Sequence, residues 1–193
     1  MEVEVYHGND IEKIIPDLAR LRITVFHDFP YLYEGDYEYE KNYLKIYLNS
    51  AESTVVAIFD QGSMVGAASA MPLKAEADYV IAPFQNQKMN VEQIYYFGES
   101  VLLKEYRGRG LGNVFFDERE KAAKKFQYLT TCFCAVQRNV DHPLKPKDYR
   151  PLDEFWMKRG YQKNSNLVSE FSWKDIGDSF ETKKTMIYWT KTL

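Results

Sequence analysis

The spacing of apolar and polar positions predicts a chain in which strands and helices alternate. Residues 2–6 read Glu-Val-Glu-Val-Tyr, the alternation of a half-buried strand. Apolar residues then recur at helical spacing over 11–21, with Asn9 or Asp10 as the expected cap. Pro16 lies inside this pattern, so the helix is expected either to kink early or to start late.

The rest of the chain continues the alternation. The expected elements are a helix over about 38–48, a hairpin of strands 54–59 and 64–71, a strand over 94–103, a helix over 110–126, a strand over 128–136, a short helix over 153–160, and strands over about 167–173 and 185–191. Residues 74–92 give weak signals and are expected to form one helical turn and a loop. No repeat or linker interrupts this order, so residues 1–193 are predicted to form one α/β domain with a mixed sheet.

Composition narrows the classes of protein to which this sequence can belong. The 193 residues are 45% hydrophobic and 27% charged, as in ordinary globular domains and unlike disordered chains. The net charge of −3 argues against broad nucleic-acid binding, and no apolar stretch approaches the roughly 20 residues that cross a bilayer. The N-terminus lacks a signal-peptide core, and Cys132 and Cys134 have the spacing of reduced thiols on one strand face. A cytoplasmic protein without a membrane or nucleic-acid partner is expected.

The most informative segment is the glycine-rich turn between the predicted strand 94–103 and the predicted helix 110–126. It reads Arg107-Gly108-Arg109-Gly110-Leu111-Gly112-Asn113. Alternating glycines expose successive backbone N–H groups, and the helix adds its positive N-terminal end, so the turn can hold a phosphate group. A P-loop is excluded because no Lys-Ser or Lys-Thr follows. A dinucleotide fingerprint fails because its third glycine would fall on Asn113 or Phe115.

A third phosphate-binding pattern, Arg/Gln-x-x-Gly-x-Gly/Ala, is matched by Arg107, Gly110 and Gly112. This is the pyrophosphate-binding signature of the GNAT superfamily of acyl-CoA-dependent N-acyltransferases, which the sequence resembles. A helix, a strand and then the segment 155–161 (Phe-Trp-Met-Lys-Arg-Gly-Tyr) follow, and that segment looks like the superfamily's Phe-Tyr-x-x-x-Gly-Phe helix end. The resemblance covers about residues 95–161. The alternative is a chance glycine turn in an unrelated α/β fold.

The resemblance implies a single-domain fold with a mixed central sheet, flanked by helices, in which a pair of parallel strands splays apart. In the family the pantetheine arm of acetyl-CoA inserts between those strands. Carried over to this chain, the backbone of Val101, Leu102 and Leu103 would bind the arm and polarise the thioester carbonyl. The pyrophosphate of acetyl-CoA, the expected cosubstrate, would bind the turn formed by Arg107, Gly108, Arg109, Gly110, Leu111, Gly112 and Asn113.

Acyl transfer to an amine also needs groups that move protons. Glu99 is the candidate base, because it lies two residues before Val101 on the face expected to hold Phe97, where apolar neighbours would disfavour its charged form. Its alternative role is an ion pair with a lysine or arginine across the sheet. The family usually has a tyrosine at the position of Trp156, so either Tyr149 is the acid or the thiolate leaves unaided. The alternative for Tyr149 is a loop tyrosine packed over the sheet edge.

The acceptor is expected between the first two helices, where family members often build its pocket. Tyr31 and Tyr33 are the candidate contacts, and the acidic residues of 34–40 could attract a cationic amine. Those acidic residues could equally favour the dipole of the helix that follows. The loop 139–156 contains three prolines, is longer than its family counterpart and would wall the site. Its His142 has no partner at metal-ligand spacing, so no metal is expected.

Two hypotheses of function follow. The first is an N-acetyltransferase that moves an acetyl group from acetyl-CoA directly to a primary amine of a small molecule or peptide, in a ternary complex. The alternative is a non-catalytic acyl-CoA-binding sensor, for which Trp156 is the main support. Nucleic-acid binding through the turn is the least favoured. The apolar strand over 185–191 could either pair across a homodimer or complete the sheet of one chain.

Overall fold

The computed structural model describes all residues from 1 to 193, which form eight strands, five α-helices and several short 3₁₀ helices. The strands are β1 (Glu2–His7), β2 (Thr54–Asp60), β3 (Ser63–Pro72), β4 (Ile94–Tyr96), β5 (Ser100–Leu102), β6 (Thr130–Val136), β7 (Gln162–Trp173) and β8 (Thr182–Thr192). The α-helices are α1 (Ile15–Phe26), α2 (Tyr37–Tyr43), α3 (Asp78–Asn86), α4 (Leu111–Lys125) and α5 (Asp153–Lys158). None of the helices is long and apolar enough to cross a membrane.

The strands form one mixed sheet in the order β1-β2-β3-β4-β6-β8-β7, with β5 paired to β3. Only β4 and β6 run parallel. Helix α1 packs on one face, in a core that contains Val55 and Ala67, while α4 packs on the other face, in a core that contains Val56 and Ala68. This alternation along β2 and β3 follows from the two-residue period of a strand. The predicted α/β domain with a mixed sheet is confirmed.

The parallel pair separates soon after it forms. Strand β4 pairs with β6 over three residues, Ile94–Tyr96 against residues 130–132. Beyond this point β5 pairs with β3 alone, whereas β6 continues along β8 as far as Val136. Each strand therefore presents an edge without a partner strand to the gap between them. The splayed parallel pair expected from the resemblance is confirmed, and the predicted single strand over 94–103 is wrong because residues 97–99 interrupt it.

Helix α1 begins later than its apolar pattern suggests. Residues Gly8–Ile14 form a 3₁₀ helix, and α1 follows with Pro16 in its first turn, where a missing N–H leaves no hydrogen bond unmade. The late start is confirmed. The predicted cap at Asn9 or Asp10 is wrong, because Ile14 precedes the helix and no side chain caps it.

Two further segments differ from the prediction. Residues 74–92 contain a full helix, α3, which the sequence pattern hid because Pro83 lies inside it. The helix predicted over 38–48 is shorter: α2 ends at Tyr43 and a 3₁₀ helix, Leu44–Asn49, continues it. The side chain of Asp36 caps α2 by accepting a hydrogen bond from the Tyr39 N–H (2.8 Å).

Candidate functional site

A β-bulge separates β4 from β5 where the splay begins. Two residues of β3, Ser69 and Ala70, lie opposite three residues, Phe97, Gly98 and Glu99. The Gly98 N–H donates to the Ser69 carbonyl (3.1 Å), and the Ser69 N–H donates to the Glu99 carbonyl (3.0 Å). Because the extra residue breaks the alternation of side chains, positions 98 and 99 both face α1, while Phe97 faces α4.

Because of the bulge, the surroundings predicted for Glu99 are wrong. Strand alternation places Glu99 on the face of Phe97, but the structure puts the two on opposite faces. Phe97 packs under the guanidinium of Arg119 from α4 (4.3 Å to the ring centroid), whereas Glu99 binds Arg22 from α1. Val101 does share the face of Glu99. The candidate base therefore lies on the side of the sheet where α1 packs.

Gly98 is required at the bulge by its neighbour Tyr47. A Cβ atom at position 98 would lie 2.2 Å from the hydroxyl oxygen of Tyr47 and 2.7 Å from Oγ of Ser69. That hydroxyl lies 2.6 Å from Ser69 Oγ and donates to Oε2 of Glu99 (3.1 Å). The absent side chain is what lets the tyrosine reach the carboxylate.

Glu99 belongs to a buried ionic cluster centred on Arg22. Nη1 of Arg22 lies 2.6 Å from Oε2 of Glu99, and its Nε donates to Oε2 of Glu40 (2.5 Å). Burial alone would lower the pKa of Arg22, but the charges of Glu99 and Glu40 outweigh burial and hold that pKa well above its ordinary value. The ion pair considered as the alternative role of Glu99 is therefore present, with a helix residue in place of one across the sheet.

One oxygen of Glu99 has no partner. Oε2 takes both Arg22 and the Tyr47 hydroxyl, while Oε1 is buried without any hydrogen-bond donor. Buried polar atoms are almost always paired, and an unpaired one is costly. The orphaned oxygen therefore marks a position where another donor group can bind.

A further buried carboxylate, Glu76, lies outside the ion pairs of Arg22. It follows the 3₁₀ helix Leu73–Ala75 and is buried, with the Ala77 N–H as its one hydrogen-bond donor (3.2 Å). Burial and, less strongly, the charge of Glu99 raise the pKa of Glu76 to about 7, although the Ala77 N–H and Arg22 act in the other direction. This carboxyl can therefore gain or lose a proton near neutral pH.

The opposite face of the bulge is held by a second buried arginine, Arg119 of α4. Its Nη1 donates to the carbonyls of Ser69 and Glu99 (3.1 Å each), and its Nη2 donates to Oγ of Ser100 (2.8 Å). Its Nε donates to the Phe115 carbonyl of its own helix (3.0 Å). Burial lowers the pKa of Arg119 to about 10. The side chain fastens α4 to both strands at the point where they bend.

The glycine-rich turn leads from β5 into α4 with its amides free. Gly108 and Gly110 have φ values of 76° and 81°, which favour glycine, and open space surrounds the position of a Cβ at each. No backbone N–H of residues 108–112 donates a hydrogen bond within the chain. Together with the N-terminus of the 15-residue α4, these donors fit an anion.

The arginine side chains of the turn fold back onto the chain. Nε of Arg107 donates to the Leu102 carbonyl (3.1 Å), and its Nη2 lies 3.5 Å from a carboxylate oxygen of Asp28. Nη2 of Arg109 donates to the Glu105 carbonyl (2.9 Å). Both side chains are exposed. The backbone therefore makes up most of this anion site, with two guanidinium groups beside it.

The residues expected to bind the pantetheine arm lie along the splay. Val101 and Leu102 belong to β5, and Leu103 follows it. The Leu102 carbonyl already accepts the hydrogen bond from Arg107, and the Leu103 N–H donates to the Val65 carbonyl (3.0 Å). The structure thus brings all three to the strand that borders the gap.

Helix α5 packs beside the turn. Oδ1 of Asn113 accepts a hydrogen bond from Nη1 of Arg159 (3.3 Å). The indole of Trp156 contacts Phe133 and Trp189, with ring centroids 5.0 and 5.2 Å apart. The residue at the family's usual tyrosine position therefore packs in an aromatic core instead of offering a hydroxyl.

Tyr31 and Tyr33 lie in the loop between α1 and α2, as predicted. The Tyr31 carbonyl accepts a hydrogen bond from Nη2 of Arg138 (2.5 Å), which anchors the loop. Burial raises the pKa of Tyr31, and the charge of Glu99 adds to this rise. Burial also raises the pKa of Tyr33, with Glu40 adding to it. The loop therefore adjoins the ionic cluster.

Tyr149 lies over the same loop, not over the sheet edge. Its ring is 4.7 Å from that of Phe29 in an edge-on contact, and the ring of His142 is 5.7 Å from that of Phe29. Burial raises the pKa of Tyr149, so its hydroxyl stays protonated at neutral pH. The segment 139–156 therefore walls the α1–α2 loop, as the length of the segment suggested.

Four residues of the site were missed from the sequence, namely Arg22, Tyr47, Glu76 and Arg119. A signal existed for the two arginines: Arg22 follows Leu18 by four positions and Arg119 follows Phe115 by four, so each interrupts an apolar helix face. Tyr47 follows Tyr39 at helical spacing, which does not distinguish the two, but Tyr47 is fully buried and Tyr39 is 60% exposed. Glu76 had no local signal.

Comparison with solved structures identifies the fold. No protein-family model and no curated protein matches the sequence. A ribosomal-protein-alanine N-acetyltransferase from Brucella melitensis is similar at 14% identity, over 98% of this chain and 99% of that one, with a TM-score of 0.63. A GNAT-family acetyltransferase from Streptococcus pneumoniae is 16% identical over the whole of both chains, with a TM-score of 0.60. PaiA N-acetyltransferase from Thermoplasma acidophilum, in complex with coenzyme A, is 13% identical over the whole of both chains, with a TM-score of 0.55. The fold of the chain is that of the GNAT acetyltransferases.

Proposed function

We propose that this chain, which has the GNAT fold, is an N-acetyltransferase that moves an acetyl group from acetyl-CoA to a primary amine of a small molecule or peptide. The observation that carries the proposal is the junction of the splayed strands with the free amides of residues 108–112. Acetyl-CoA is a long molecule with a pyrophosphate in one part and a thioester at its end. A gap between strands that leads to an anion site fits such a molecule.

The turn supplies charge complementarity for the pyrophosphate. The five consecutive backbone N–H groups of residues 108–112 donate no hydrogen bond within the chain, so they are free to bind an anion. Helix α4 adds the positive end of its dipole at the same place. The edge of β5 at Val101 would then border the pantetheine arm and polarise the thioester carbonyl. This proposal carries over the roles that the resemblance assigned to residues 101–103 and 107–113.

Glu99 is the proposed base. Its Oε2 is occupied by Arg22 and Tyr47, so the free Oε1 is the atom that would accept a proton from the acceptor nitrogen. The leaving thiolate would take a proton from Tyr149, whose hydroxyl stays protonated because burial raises its pKa, or from water. The transfer is direct, since Cys132 and Cys134 are buried and burial raises the pKa of both thiols.

A second function is favoured by one observation. Trp156 packs between Phe133 and Trp189, so the usual tyrosine hydroxyl is missing from this site. An acyl-CoA-binding sensor without turnover would have the same turn and the same splay. The two functions share the cofactor site and differ in whether Glu99 is needed for turnover.

The first test is calorimetric titration with acetyl-CoA, CoA and ATP in parallel. We expect acetyl-CoA and CoA to bind and ATP to bind much more weakly. Gly110→Ala should weaken acetyl-CoA binding by about tenfold or more, because the turn needs a positive φ. Gly177→Ala is the matched control, since Gly177 has a φ of 84° and equally open surroundings away from the turn. Failure of both CoA species to bind would refute the proposal.

Turnover separates the enzyme from the sensor. With an acceptor found by screening amines, Glu99→Gln should lower the rate by about a hundredfold or more and leave acetyl-CoA binding unchanged. Unchanged turnover in that variant would remove Glu99 from the reaction. No acetylation of any amine, with tight acetyl-CoA binding, would favour the sensor.

A further inference from the structure

Arg138 lies just past the end of β6, the strand that borders the gap on the side opposite β5. Its Nε donates a hydrogen bond to the Pro30 carbonyl (2.7 Å), and its Nη2 donates to the Tyr31 carbonyl (2.5 Å). Nη1 and Nη2 also donate to the two carboxylate oxygens of Asp175 (2.7 and 2.9 Å). One planar group therefore joins the end of β6, the α1–α2 loop and the turn between β7 and β8.

The carboxylate of Asp175 is held from its other side by Lys184. Nζ of Lys184 lies 3.1 Å from Oδ1 of Asp175 and donates to the carbonyls of Trp173 (2.9 Å) and Thr182 (3.0 Å). The side chains of Arg138, Asp175 and Lys184 are at most 16% exposed, so water competes little for these bonds. Because its carboxylate partner is fixed, the guanidinium of Arg138 is held in one orientation.

Arg138 determines the position of only part of the loop. Residues 32–34 are held by backbone hydrogen bonds to other segments, from Ile176 to Leu32 (2.8 Å), from Tyr33 to Phe26 (2.8 Å) and from Glu34 to Lys174 (3.0 Å). The carbonyls of Pro30 and Tyr31 accept no backbone hydrogen bond. Their donors are Arg138 and, for Tyr31 alone, the indole N–H of Trp173 (3.0 Å).

The side chain of Tyr31 connects this part of the loop to the candidate base. It packs on the core that contains Cys134, which strand alternation places on the Glu99 face of the sheet, beyond the split of β4 and β6. Its ring centroid is 4.5 Å from that of Phe26. The ring of Phe26 lies 5.0 Å from the guanidinium carbon of Arg22, which in turn binds Glu99 (2.6 Å). A continuous run of contacts therefore leads from the loop to Glu99.

We propose that Arg138 is a positioning residue for the acceptor: it fixes the backbone of the α1–α2 loop so that the Tyr31 side chain contacts the amine on the Glu99 face of the sheet. The inference rests on the proposed function and adds a residue to which the resemblance gave no role. Every side-chain hydrogen bond of Arg138 goes to the loop or to Asp175, and none goes to the glycine-rich turn. Loss of Arg138 should therefore impair binding of the amine and spare binding of acetyl-CoA.

The first measurement is amide hydrogen exchange by NMR on the full chain. In Arg138→Met the Tyr31 N–H should exchange at least about tenfold faster, while those of Glu34 and Ile176 should change by less than about twofold. Lys174→Met is the matched control, because it breaks an ion pair between the same two segments, with Glu34 (3.0 Å), and leaves the bonds of Arg138 intact. Equal acceleration at all three amides, or none at Tyr31, would overturn the inference.

The second measurement is acetylation of the amine probes n-propylamine, tyramine, spermidine and triglycine, followed by the release of CoA. For each probe that is acetylated, Arg138→Met should raise KM for the amine about tenfold and leave kcat and the Kd of acetyl-CoA within about twofold of the parent. Arg138→Lys should not restore KM, because one ammonium cannot reproduce the planar fork of a guanidinium. Asp175→Asn, which keeps Arg138, should raise KM by a smaller factor and replaces Arg138→Met if that variant does not fold.

A double-mutant cycle determines whether Arg138 acts through Tyr31. Tyr31→Ala should by itself raise KM for the amine. In that background Arg138→Met should raise KM further by less than about twofold, because the side chain that it positions is already gone. Two factors that multiply in the double variant would mean that Arg138 acts elsewhere, and the inference would be overturned.

The outcomes separate this inference from the proposed function. If an amine is acetylated with the same KM in the parent and in Arg138→Met, the inference is overturned and the proposed function stands. Faster exchange at Tyr31 together with that unchanged KM would make Arg138 a structural anchor only. If acetyl-CoA binds but no amine probe is acetylated, the proposed transfer and this inference fail together. If neither CoA species binds the parent, the proposed function itself fails.

Discussion

Two buried arginines bind the same bulge from opposite faces of the sheet, and they differ in what they bind. Arg119 is the more deeply buried, at 1% exposure against 8% for Arg22. Its guanidinium meets only neutral oxygens, whereas Arg22 meets the carboxylates of Glu40 and Glu99. The pKa values diverge accordingly, because burial lowers that of Arg119 to about 10 while the two carboxylates outweigh burial at Arg22 and raise it.

The difference indicates that Arg119 has a structural role, whereas Arg22 belongs to the candidate site. On the α4 face, the carbonyls of Ser69 and Glu99 accept both Arg119 and a backbone N–H, so their hydrogen bonding is complete. On the α1 face, Oε1 of Glu99 has no donor and Glu76 has only one. A complete hydrogen-bond network holds the backbone in one conformation, while an incomplete network leaves polar atoms that a ligand can bind.

The largest effect is expected from Arg22→Met. This change leaves the buried carboxylates of Glu40 and Glu99 without a cation, which should cost about 3–5 kcal/mol of unfolding free energy at neutral pH in urea denaturation. Part of the loss should return in mildly acid solution, where the carboxyls become neutral. The control is Arg20→Met, which breaks an exposed pair with Asp17 and should cost under about 1 kcal/mol. A loss independent of pH would contradict the ionic account.

Arg119→Met should cost less, about 2–4 kcal/mol, although Arg119 is the more buried. The change removes hydrogen bonds to neutral oxygens, and two of the carbonyls keep a backbone donor. The loss should not vary with pH over the range in which the Arg22 variant recovers. A larger loss for Arg119→Met than for Arg22→Met in the same denaturation experiment would reverse the comparison.

Glu76 should make the α1 face pH-sensitive. Its pKa is raised from 4.5 to about 7 on folding, so its contribution to stability is fully present below 4.5 and is lost as the pH rises through 7. The whole change is roughly 3 kcal/mol. The stability of the parent relative to Glu76→Gln should fall by that order across this window in urea denaturation. If the unfolding free energies of the two proteins changed with pH in the same way, burial would not raise the pKa of Glu76.

The smallest effect is expected at the bulge itself. In Gly98→Ala the new methyl group would overlap the Tyr47 hydroxyl, which should cost about 1–3 kcal/mol of unfolding free energy. In a Tyr47→Phe background the same substitution should cost less, by at least about 0.5 kcal/mol. Strictly additive losses in this double-mutant cycle would mean that the hydroxyl is not what requires glycine.

Elements with local signals were predictable. The hairpin around Gly62 follows from its turn residues, and the helix after the glycine-rich turn follows from its apolar stripe. The turn itself was readable because Gly108 and Gly110 adopt positive φ, which other residues avoid. Helix α3 was missed because Pro83 argues against a helix when neighbours in space are ignored.

The sequence by itself determined the α/β class, the mixed sheet and the turn of free amides, because each depends on residues close together in the chain. Only the tertiary structure decided the faces of the bulge and the membership of the ionic cluster. Strand alternation predicts the face of the sheet on which Glu99 lies only if no extra residue interrupts the pairing of β4 and β5 with β3. The partner residue Ser69 of β3 is 30 positions away in the chain, so the bulge has no local signal. Arg22 and Glu99 meet because α1 and the bulge pack together, and no local pattern encodes a contact of that kind.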